Sequence, residues 1–188
     1  MSNFPLVRLR RLRRNESVRE LFKEVRLNKK DLIAPLFAQE GISKPIEISS
    51  LPGIYSFPVN YIAEEAKRIR ELGIKAVMLF GIPKEKDEIG SNAYNENGIV
   101  QKAIRAIKGD LGDDIVVITD VCLCQYTTHG HCGLIKGNKI DNDESIKVLA
   151  KVAVSQADAG ADIVAPSAMM DGQVKAIREG LDDHGFND

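Results

Sequence analysis

The sequence predicts an α/β fold in which a parallel sheet is covered by helices. Three observations support this prediction. Four continuous apolar segments are spaced at similar intervals along the chain. Each is followed by a segment whose apolar residues recur about every 3.6 positions, as on one face of a helix. Strands that are apolar throughout are typical of parallel sheets that are buried on both faces.

The predicted strands and helices alternate along the chain. The strands are residues 31–38 (DLIAPLFA), 75–82 (KAVMLFGI), 114–123 (DIVVITDVCL) and 161–167 (ADIVAPS). The helices are residues 60–74, 99–112, 142–161 and 171–185. Gly73 is expected to end the first helix. The third is expected to begin at an Asn or Asp cap with an acidic first turn, and to run to Gly160.

This alternation fits a doubly wound sheet or a (β/α)₈ barrel. No GxGxxG motif follows any predicted strand, which disfavours a dinucleotide-binding sheet. An eight-fold barrel typically needs about 250 residues, and this chain has 188, ending on GFND where a fifth strand is expected. We therefore predict that residues 31–188 form the first four βα units of a TIM (β/α)₈ barrel, a half-barrel truncated before its fifth strand.

Residues 1–30 are predicted to form a basic N-terminal arm. They contain ten Lys or Arg and three Glu, although the whole chain has a net charge of −1. Such an arm could bind nucleic acid, lie on an acidic neighbouring subunit or remain solvated. No aromatic or base-reading motif accompanies the charge, so no nucleic-acid partner is expected. Apolar residues among the arginines favour an arm that packs on protein, namely Leu6, Val7, Leu9 and Leu12.

The composition, with 44% hydrophobic and 28% charged residues, is ordinary for a globular protein. No apolar run approaches the roughly 18 residues that a membrane span needs, and the basic N-terminus lacks the apolar core of a signal peptide. Three cysteines cannot all pair within one chain. We therefore expect no membrane partner and a reducing, cytoplasmic compartment with free or metal-bound thiols.

All three cysteines lie within the stretch VCLCQYTTHGHC, residues 121–132. Side chains alternate along a strand, so Asp120, Cys122 and Cys124 are expected to share one face near the carboxyl end of the third strand. That end is where active sites of (β/α)₈ barrels lie. Cys132 can return from the loop THGHCG. Three sulfurs could hold a soft ion such as zinc and leave its fourth position open, as in catalytic zinc sites.

Other interpretations of these cysteines remain open at this point. Buried cysteine is a common core residue, so the thiols could simply pack in the interior. A disulfide between Cys122 and Cys124 is disfavoured, because residues two apart on a strand do not meet bridging geometry. A redox motif would more often be CxxC. His129 and His131 are better explained as hydrogen-bonded loop residues, with His131 the better candidate ligand for a second ion.

Two long stretches, DVCLCQYTTHGHCG and the segment from NDESIKVLAK to LDDHGF, resemble porphobilinogen synthase, also called 5-aminolevulinate dehydratase. RLRRLRRNESVRELFKE, DLIAPLFAQEG, LPGIYSFP and LFGIPKEKDEIGSNAYNENGIVQKAIRAIK agree. The resemblance covers essentially the whole chain. It implies a (β/α)₈ barrel and the condensation of two 5-aminolevulinate molecules to porphobilinogen in tetrapyrrole (haem) biosynthesis. It also implies a homo-oligomer, usually an octamer, in which the N-terminal arm embraces a neighbouring subunit.

The resemblance also implies roles for individual residues. Cys122, Cys124 and Cys132 match members that bind catalytic Zn²⁺, and His131 matches a residue that helps to hold a second zinc. Asp120 matches an aspartate thought to assist proton transfer, and Ser167 matches a residue that lines the substrate pocket. An allosteric Mg²⁺ site would lie outside this chain.

Two features depart from the family pattern. Ala168 and Gln173 stand where many relatives have Asp and Arg. The two lysines that form Schiff bases with substrate in the family, and arginines that hold its carboxylate, are expected beyond Asp188. We therefore expect the 188-residue chain alone to be inactive. The alternative is that the chain is a non-catalytic, zinc-binding half-barrel.

Overall fold

A computed structural model describes residues 3–187 of the chain. The strands of its main sheet are β1 (Ile33–Gln39), β2 (Ile46–Glu47), β3 (Tyr55–Phe57), β4 (Ala76–Ile82), β5 (Val116–Val121) and β8 (Ile163–Pro166). These six strands lie in the order β2-β3-β1-β4-β5-β8. Neighbours β1, β4, β5 and β8 run parallel, as predicted. The predicted parallel α/β fold is confirmed.

Four long helices follow the parallel strands. They are α2 (Val59–Glu71), α3 (Ile99–Leu111), α4 (Asn142–Asp158) and α5 (Gln173–Asp183). Helix α4 has a side-chain cap, but it lies before the predicted segment: the Asp141 side chain accepts a hydrogen bond of 3.2 Å from the Glu144 N–H. All four predicted helices are confirmed, with ends that differ by at most a few residues.

The core lies between the sheet and its helices. On β1 and β4, alternate side chains such as Leu36 and Leu79 point to this side and are buried with α2 and α3. The opposite face carries Phe37 and Phe80, whose rings stack with centroids 5.2 Å apart. In a (β/α)₈ barrel this opposite face is the interior.

The sheet does not close into a barrel within residues 3–187. Strand β8 pairs with β5 on one side only among the described strands. Ile163 on β8 is 50% exposed, which agrees with an unpaired edge. The described residues therefore form an open, barrel-like sheet of four parallel βα units with the short strands β2 and β3 at one edge.

Two small features were not predicted. Strands β2 and β3 extend the sheet beside β1, and a separate hairpin pairs β6 (Leu134–Lys136) with β7 (Lys139–Asp141). The hairpin turn includes Gly137, whose φ of +63° is left-handed, a conformation that favours glycine. Strands of two or three residues are too short to show a hydrophobic period, so periodicity could not reveal them.

The arm consists of short helices with little burial. A 3₁₀ helix at Leu9–Arg13 precedes α1 (Glu16–Leu21), whose first turn is capped by the Asn15 side chain. Neither helix contains a buried residue. Large apolar side chains of the arm are instead exposed, among them Leu6, Leu9, Leu21, Val25 and Leu27. None of the helices described is both long and apolar enough to cross a bilayer.

Candidate metal centre

Strand β5 places Asp120 on the interior side of the sheet, and Cys122 directly follows this strand. Thr119, which directly precedes Asp120, faces the helices. Its hydroxyl donates to Gln156 Oε1 on α4 at 2.8 Å. The Gln156 amide also donates to the Asp120 backbone oxygen at 3.0 Å. Because side chains alternate, Asp120 points to the other face, as the sequence predicts.

Cys124 lies beside Cys122, as expected, but a turn and not a strand positions it there. We predicted that the third strand runs through residue 123, but β5 ends at Val121 and Cys124 lies in the turn that follows. The amides of Tyr126 and Thr127 both donate to the Leu123 carbonyl, at 2.9 and 3.0 Å. This turn, and not strand alternation, brings the Cys124 sulfur to 3.3 Å from that of Cys122.

Cys132 returns to the site at the end of a loop that is tied down on both sides. Thr127 Oγ1 donates to the His131 carbonyl at 3.0 Å. Two residues beyond Cys132, the Leu134 N–H donates to Ser145 Oγ at 2.8 Å, and Ser145 on α4 is fully buried. The three cysteine sulfurs consequently lie within 4.8 Å of one another.

The donor set fits a thiophilic metal ion. A tetrahedral zinc–thiolate site has Zn–S bonds of about 2.3 Å, which places its sulfurs about 3.8 Å apart. Within residues 3–187, these cysteines are the only group of three or more His, Cys, Asp or Glu ligand atoms that lie so close together. Cys122 is buried, whereas Cys124 and Cys132 are half-buried. The cluster is therefore partly accessible to solvent.

His131 does not belong to this group. Its side chain is exposed, and its ring centroid lies 5.5 Å from that of His129. The His131 N–H donates to His129 Nδ1 at 3.1 Å, and His129 Nε2 lies 3.2 Å from the Glu88 carbonyl oxygen. In this arrangement both histidines are loop residues, and the role of His131 toward a second ion stays a prediction.

Burial and the neighbouring thiols shape the protonation of the cluster. Burial, together with hydrogen bonding to Cys122, raises the pKa of the Cys124 thiol to about 12. Burial also raises the pKa of Cys132. Thiols with raised pKa values keep their protons at neutral pH. A metal ion binds thiolates, so its binding must release protons.

Asp120 is held by two side chains from different parts of the chain. Ser167, directly after β8, donates from Oγ to Asp120 Oδ1. Gln125 donates from Nε2 to Asp120 Oδ2 at 2.6 Å, and its Oε1 accepts from Cys124 Sγ at 3.6 Å. The structure thus brings the predicted residues Asp120 and Ser167 together beside the cysteines. The contribution of Gln125 was missed, although its position next to Cys124 was a signal.

A loop from the neighbouring strand supports the cysteine turn. Beyond β4, the Asp87 N–H donates to the Tyr126 carbonyl at 3.3 Å, and the Thr128 N–H donates to the Asp87 carbonyl at 3.0 Å. The Asp87 carboxylate accepts from the Ser91 hydroxyl and from the N–H groups of Ser91 and Ile89. The hydrogen bond from the Ser91 hydroxyl is the main cause that lowers the pKa of Asp87.

The two departures from the family pattern have local explanations. Ala168 is buried, 8% exposed, in the loop after β8. Gln173 donates to the Ala168 carbonyl at 2.7 Å and accepts from the Met170 N–H at 3.2 Å. Gln173 therefore closes this loop within the chain itself.

Comparison with known proteins decides the family. The family model described as Delta-aminolevulinic acid dehydratase matches residues 6–188. The chain belongs to the delta-aminolevulinic acid dehydratase family. The resemblance read from the cysteine stretch and its flanking segments is thereby confirmed.

Curated members of the dehydratase family align over nearly the whole chain. The chain is 57% identical over 185 residues to Delta-aminolevulinic acid dehydratase of Methanothermus sociabilis, covering 98% of this chain and 57% of that protein. The homologue from Archaeoglobus fulgidus is 50% identical, with 99% and 57% covered. That from Ruminiclostridium josui is 49% identical, with 96% and 88% covered. The chain thus spans little more than half the length of the first two relatives.

A solved dehydratase structure has the same fold. The crystal structure of delta-aminolevulinic acid dehydratase (porphobilinogen synthase) from Toxoplasma gondii ME49, in complex with the reaction product porphobilinogen, superposes with a TM-score of 0.92. Its sequence is 38% identical, and the match covers 97% of this chain and 52% of that chain. The open sheet therefore corresponds to part of the dehydratase fold.

Proposed function

We propose that this chain contributes the metal-binding part of a porphobilinogen synthase, a lyase that condenses two molecules of 5-aminolevulinate to porphobilinogen with loss of water. The observation that carries the proposal is the group of three sulfurs within 4.8 Å of one another, beside the paired Asp120 and Ser167. Membership of the dehydratase family supports the reaction and the small-molecule substrate.

The proposed metal is zinc, held by Cys122, Cys124 and Cys132. When bound at such a site, zinc supplies Lewis acidity toward a carbonyl oxygen and a fixed point for orienting substrate. The residues of this chain have separate tasks. Ser167 and Gln125 each donate to one oxygen of the Asp120 carboxylate, and thereby fix its orientation. Asp120 is proposed to accept and return a proton of the substrate, and Ser167 to line the pocket.

We propose that Schiff-base formation requires lysines other than those near this cluster. A lysine that attacks a ketone needs a desolvated amine with a lowered pKa. The lysines that follow the cysteine cluster in the chain lie on the hairpin or on α4 and α5 and are exposed, namely Lys136, Lys139, Lys147, Lys151 and Lys175. The 188-residue chain alone is therefore expected to bind zinc without forming porphobilinogen.

A chimera tests the proposed function. Residues 1–188 would replace the matching part of the Methanothermus sociabilis dehydratase, with which they share 57% identity. Supplied with zinc and 5-aminolevulinate, the chimera should form porphobilinogen, measured colorimetrically. Cys132→Ala in the chimera should abolish both stoichiometric zinc binding and product formation. The control His131→Ala should keep zinc at the three cysteines.

Two results would overturn the proposal. One is a folded, zinc-loaded chimera that forms no porphobilinogen. The other is unchanged zinc content and turnover after Cys132→Ala. Porphobilinogen formation by the 188-residue chain alone would instead contradict only the assignment of the lysines.

We further propose that residues 1–30 are an arm that packs on a neighbouring subunit of a homo-oligomer, expected to be an octamer. The exposed Leu6, Leu9 and Leu27, at 79%, 72% and 84%, are an apolar surface that such packing would cover. Deletion of residues 1–30 from the chimera should reduce its mass in sedimentation without loss of zinc. An unchanged oligomer would refute this role.

The proposed compartment is the cytoplasm. Three free cysteines that act as metal ligands need a reducing environment, because oxidation would remove their thiolates. Any allosteric Mg²⁺ is proposed to bind outside this chain.

A further inference from the structure

Gln125 contacts both halves of the candidate site. Its side chain is half-buried and follows Cys124 in the turn after β5. Nε2 donates to Asp120 Oδ2 at 2.6 Å, while Oε1 accepts from Cys124 Sγ at 3.6 Å. One amide therefore spans from the carboxylate to the cysteine cluster.

We propose that Gln125 is a positioning residue, which holds Cys124 in place for the metal by tying it to Asp120. The inference rests on the proposed metal site, but not on porphobilinogen formation. It assigns to Gln125 a role in metal affinity that goes beyond the three sulfur ligands. Residues that fix metal ligands from behind commonly change metal affinity by about 10- to 100-fold when substituted.

The anchor of this link is rigid. Asp120 lies on β5 and is 9% exposed. Its second carboxylate oxygen accepts from Ser167, and its backbone oxygen accepts from Gln156. Asp120 is thus fixed by side chains of α4 and of the segment after β8, and it can hold Gln125 in turn.

Of the three cysteines, Cys124 depends most on such a link. Cys122 directly follows β5, and Cys132 lies two residues before the hydrogen bond that joins Leu134 to the buried Ser145. Cys124 lies in a turn, where its sulfur meets Cys122 Sγ at 3.3 Å and Gln125 Oε1 at 3.6 Å. The Gln125 amide is the one of these two partners that reaches Asp120 on β5. Cys124 donates this hydrogen bond through its thiol proton, so the contact positions the sulfur in the metal-free site, before the metal displaces that proton.

Metal binding by variants of Gln125 tests this inference directly. Gln125→Met keeps the length of the side chain and removes both hydrogen bonds. Zn²⁺ affinity would be measured by competition with a chromophoric chelator, and the geometry of the site by absorption of Co²⁺ bound in place of zinc. We expect Gln125→Met to bind Zn²⁺ about tenfold more weakly and to shift the Co²⁺–thiolate charge-transfer band.

Gln39→Met is the matched control. Gln39 is another half-buried glutamine, which accepts from Ser56 Oγ at 2.6 Å on β1 and makes no contact with the cysteines. This variant should keep wild-type Zn²⁺ affinity and the wild-type Co²⁺ spectrum. Urea unfolding of the metal-free proteins separates a loss of fold from a loss of positioning.

Gln125→Leu keeps the inference falsifiable if Gln125→Met does not fold. Its apolar side chain makes neither hydrogen bond and adds no charge beside the metal. It should therefore also weaken Zn²⁺ binding. Wild-type affinity in either folded Gln125 variant, or equal weakening in Gln39→Met, would overturn the inference. Loss of porphobilinogen formation by the chimera with intact zinc binding would overturn the proposed function alone.

Discussion

Replacement of Gly81 by alanine should disturb both the core and the cysteine turn. Gly81 lies on β4 beside Ala38 of β1, on the face that packs against the helices. A Cβ added there would be 2.4 Å from the Tyr126 hydroxyl oxygen and 2.7 Å from Val100 Cγ2. Tyr126 is 3% exposed and lies in the turn between Cys124 and Cys132. Gly81 therefore leaves the space that lets this turn pack against α3.

The expected loss of stability follows from these distances. A comfortable carbon contact is about 3.5–4.0 Å, so the Tyr126 hydroxyl must move by about 1 Å and Val100 by nearly as much. Overpacking of this kind typically costs about 1–3 kcal/mol. Both neighbours are buried and lie on different elements, which favours the upper part of that range. The lower entropy of the unfolded alanine chain offsets about 0.4–1 kcal/mol. We expect a net loss of about 2 kcal/mol.

Urea denaturation of the metal-free protein measures this loss as a lower midpoint. Gly109→Ala is the matched control, because Gly109 lies in α3 and an added Cβ there meets nothing within 4 Å. It should stabilise the protein by about 1 kcal/mol through helix propensity. Gly81→Ala should also weaken Zn²⁺ binding, since Tyr126 can move only with the turn that carries Cys124.

The double variant Gly81→Ala/Tyr126→Phe isolates the cause. Phenylalanine lacks the oxygen that is closest to the new Cβ, so part of the lost stability should return, while the contact with Val100 remains. Wild-type stability of Gly81→Ala, or a double variant no more stable than Gly81→Ala alone, would refute the packing argument.

Three further predictions concern the supports of the site. Ser145→Ala removes the acceptor of the Leu134 N–H, so it should weaken Zn²⁺ binding through Cys132; equal weakening in Ser155→Ala on the same helix would contradict this. The Ser91 hydroxyl lowers the pKa of Asp87 below its ordinary value of 3.8. The stability that the Asp87 carboxylate contributes is therefore present above pH 3.8, and it is lost as the pH falls through the lowered pKa of the folded protein. The stability advantage of wild type over Asp87→Asn in urea should accordingly shrink from about pH 5 toward pH 2, and a constant difference would contradict the assignment. Because metal binding displaces thiol protons, Zn²⁺ affinity should fall with decreasing pH, and a flat profile between pH 8 and 6 would exclude thiolate ligation.

Local sequence patterns predicted most of the fold. The four apolar segments became β1, β4, β5 and β8, because continuous apolar segments of this kind are typical of parallel strands that are covered by helices. The helix of residues 142–161 was recognisable from its period and its acidic first turn, although its cap is Asp141, one residue before the predicted segment. The two-residue strand β2 and the hairpin of β6 and β7 carry no period, and they depend on the neighbouring chain for their pairing.

The sequence by itself determined that three thiols, in the order CxC followed by a third cysteine, lie beside an aspartate at the carboxyl end of a parallel strand. It also determined the family, because long ungapped stretches resemble it. Only the tertiary structure decided how these groups meet. Ser167 reaches Asp120 across 47 positions of the chain, because parallel pairing sets β8 beside β5. The turn after Val121 places Cys124 beside Cys122. Hydrogen bonds to Asp87 support this turn, and the absence of a side chain at Gly81 leaves room for it. Gln125 then links Cys124 to Asp120. Hydrogen bonds and close packing between segments distant in sequence depend on three-dimensional distances, which no local period contains.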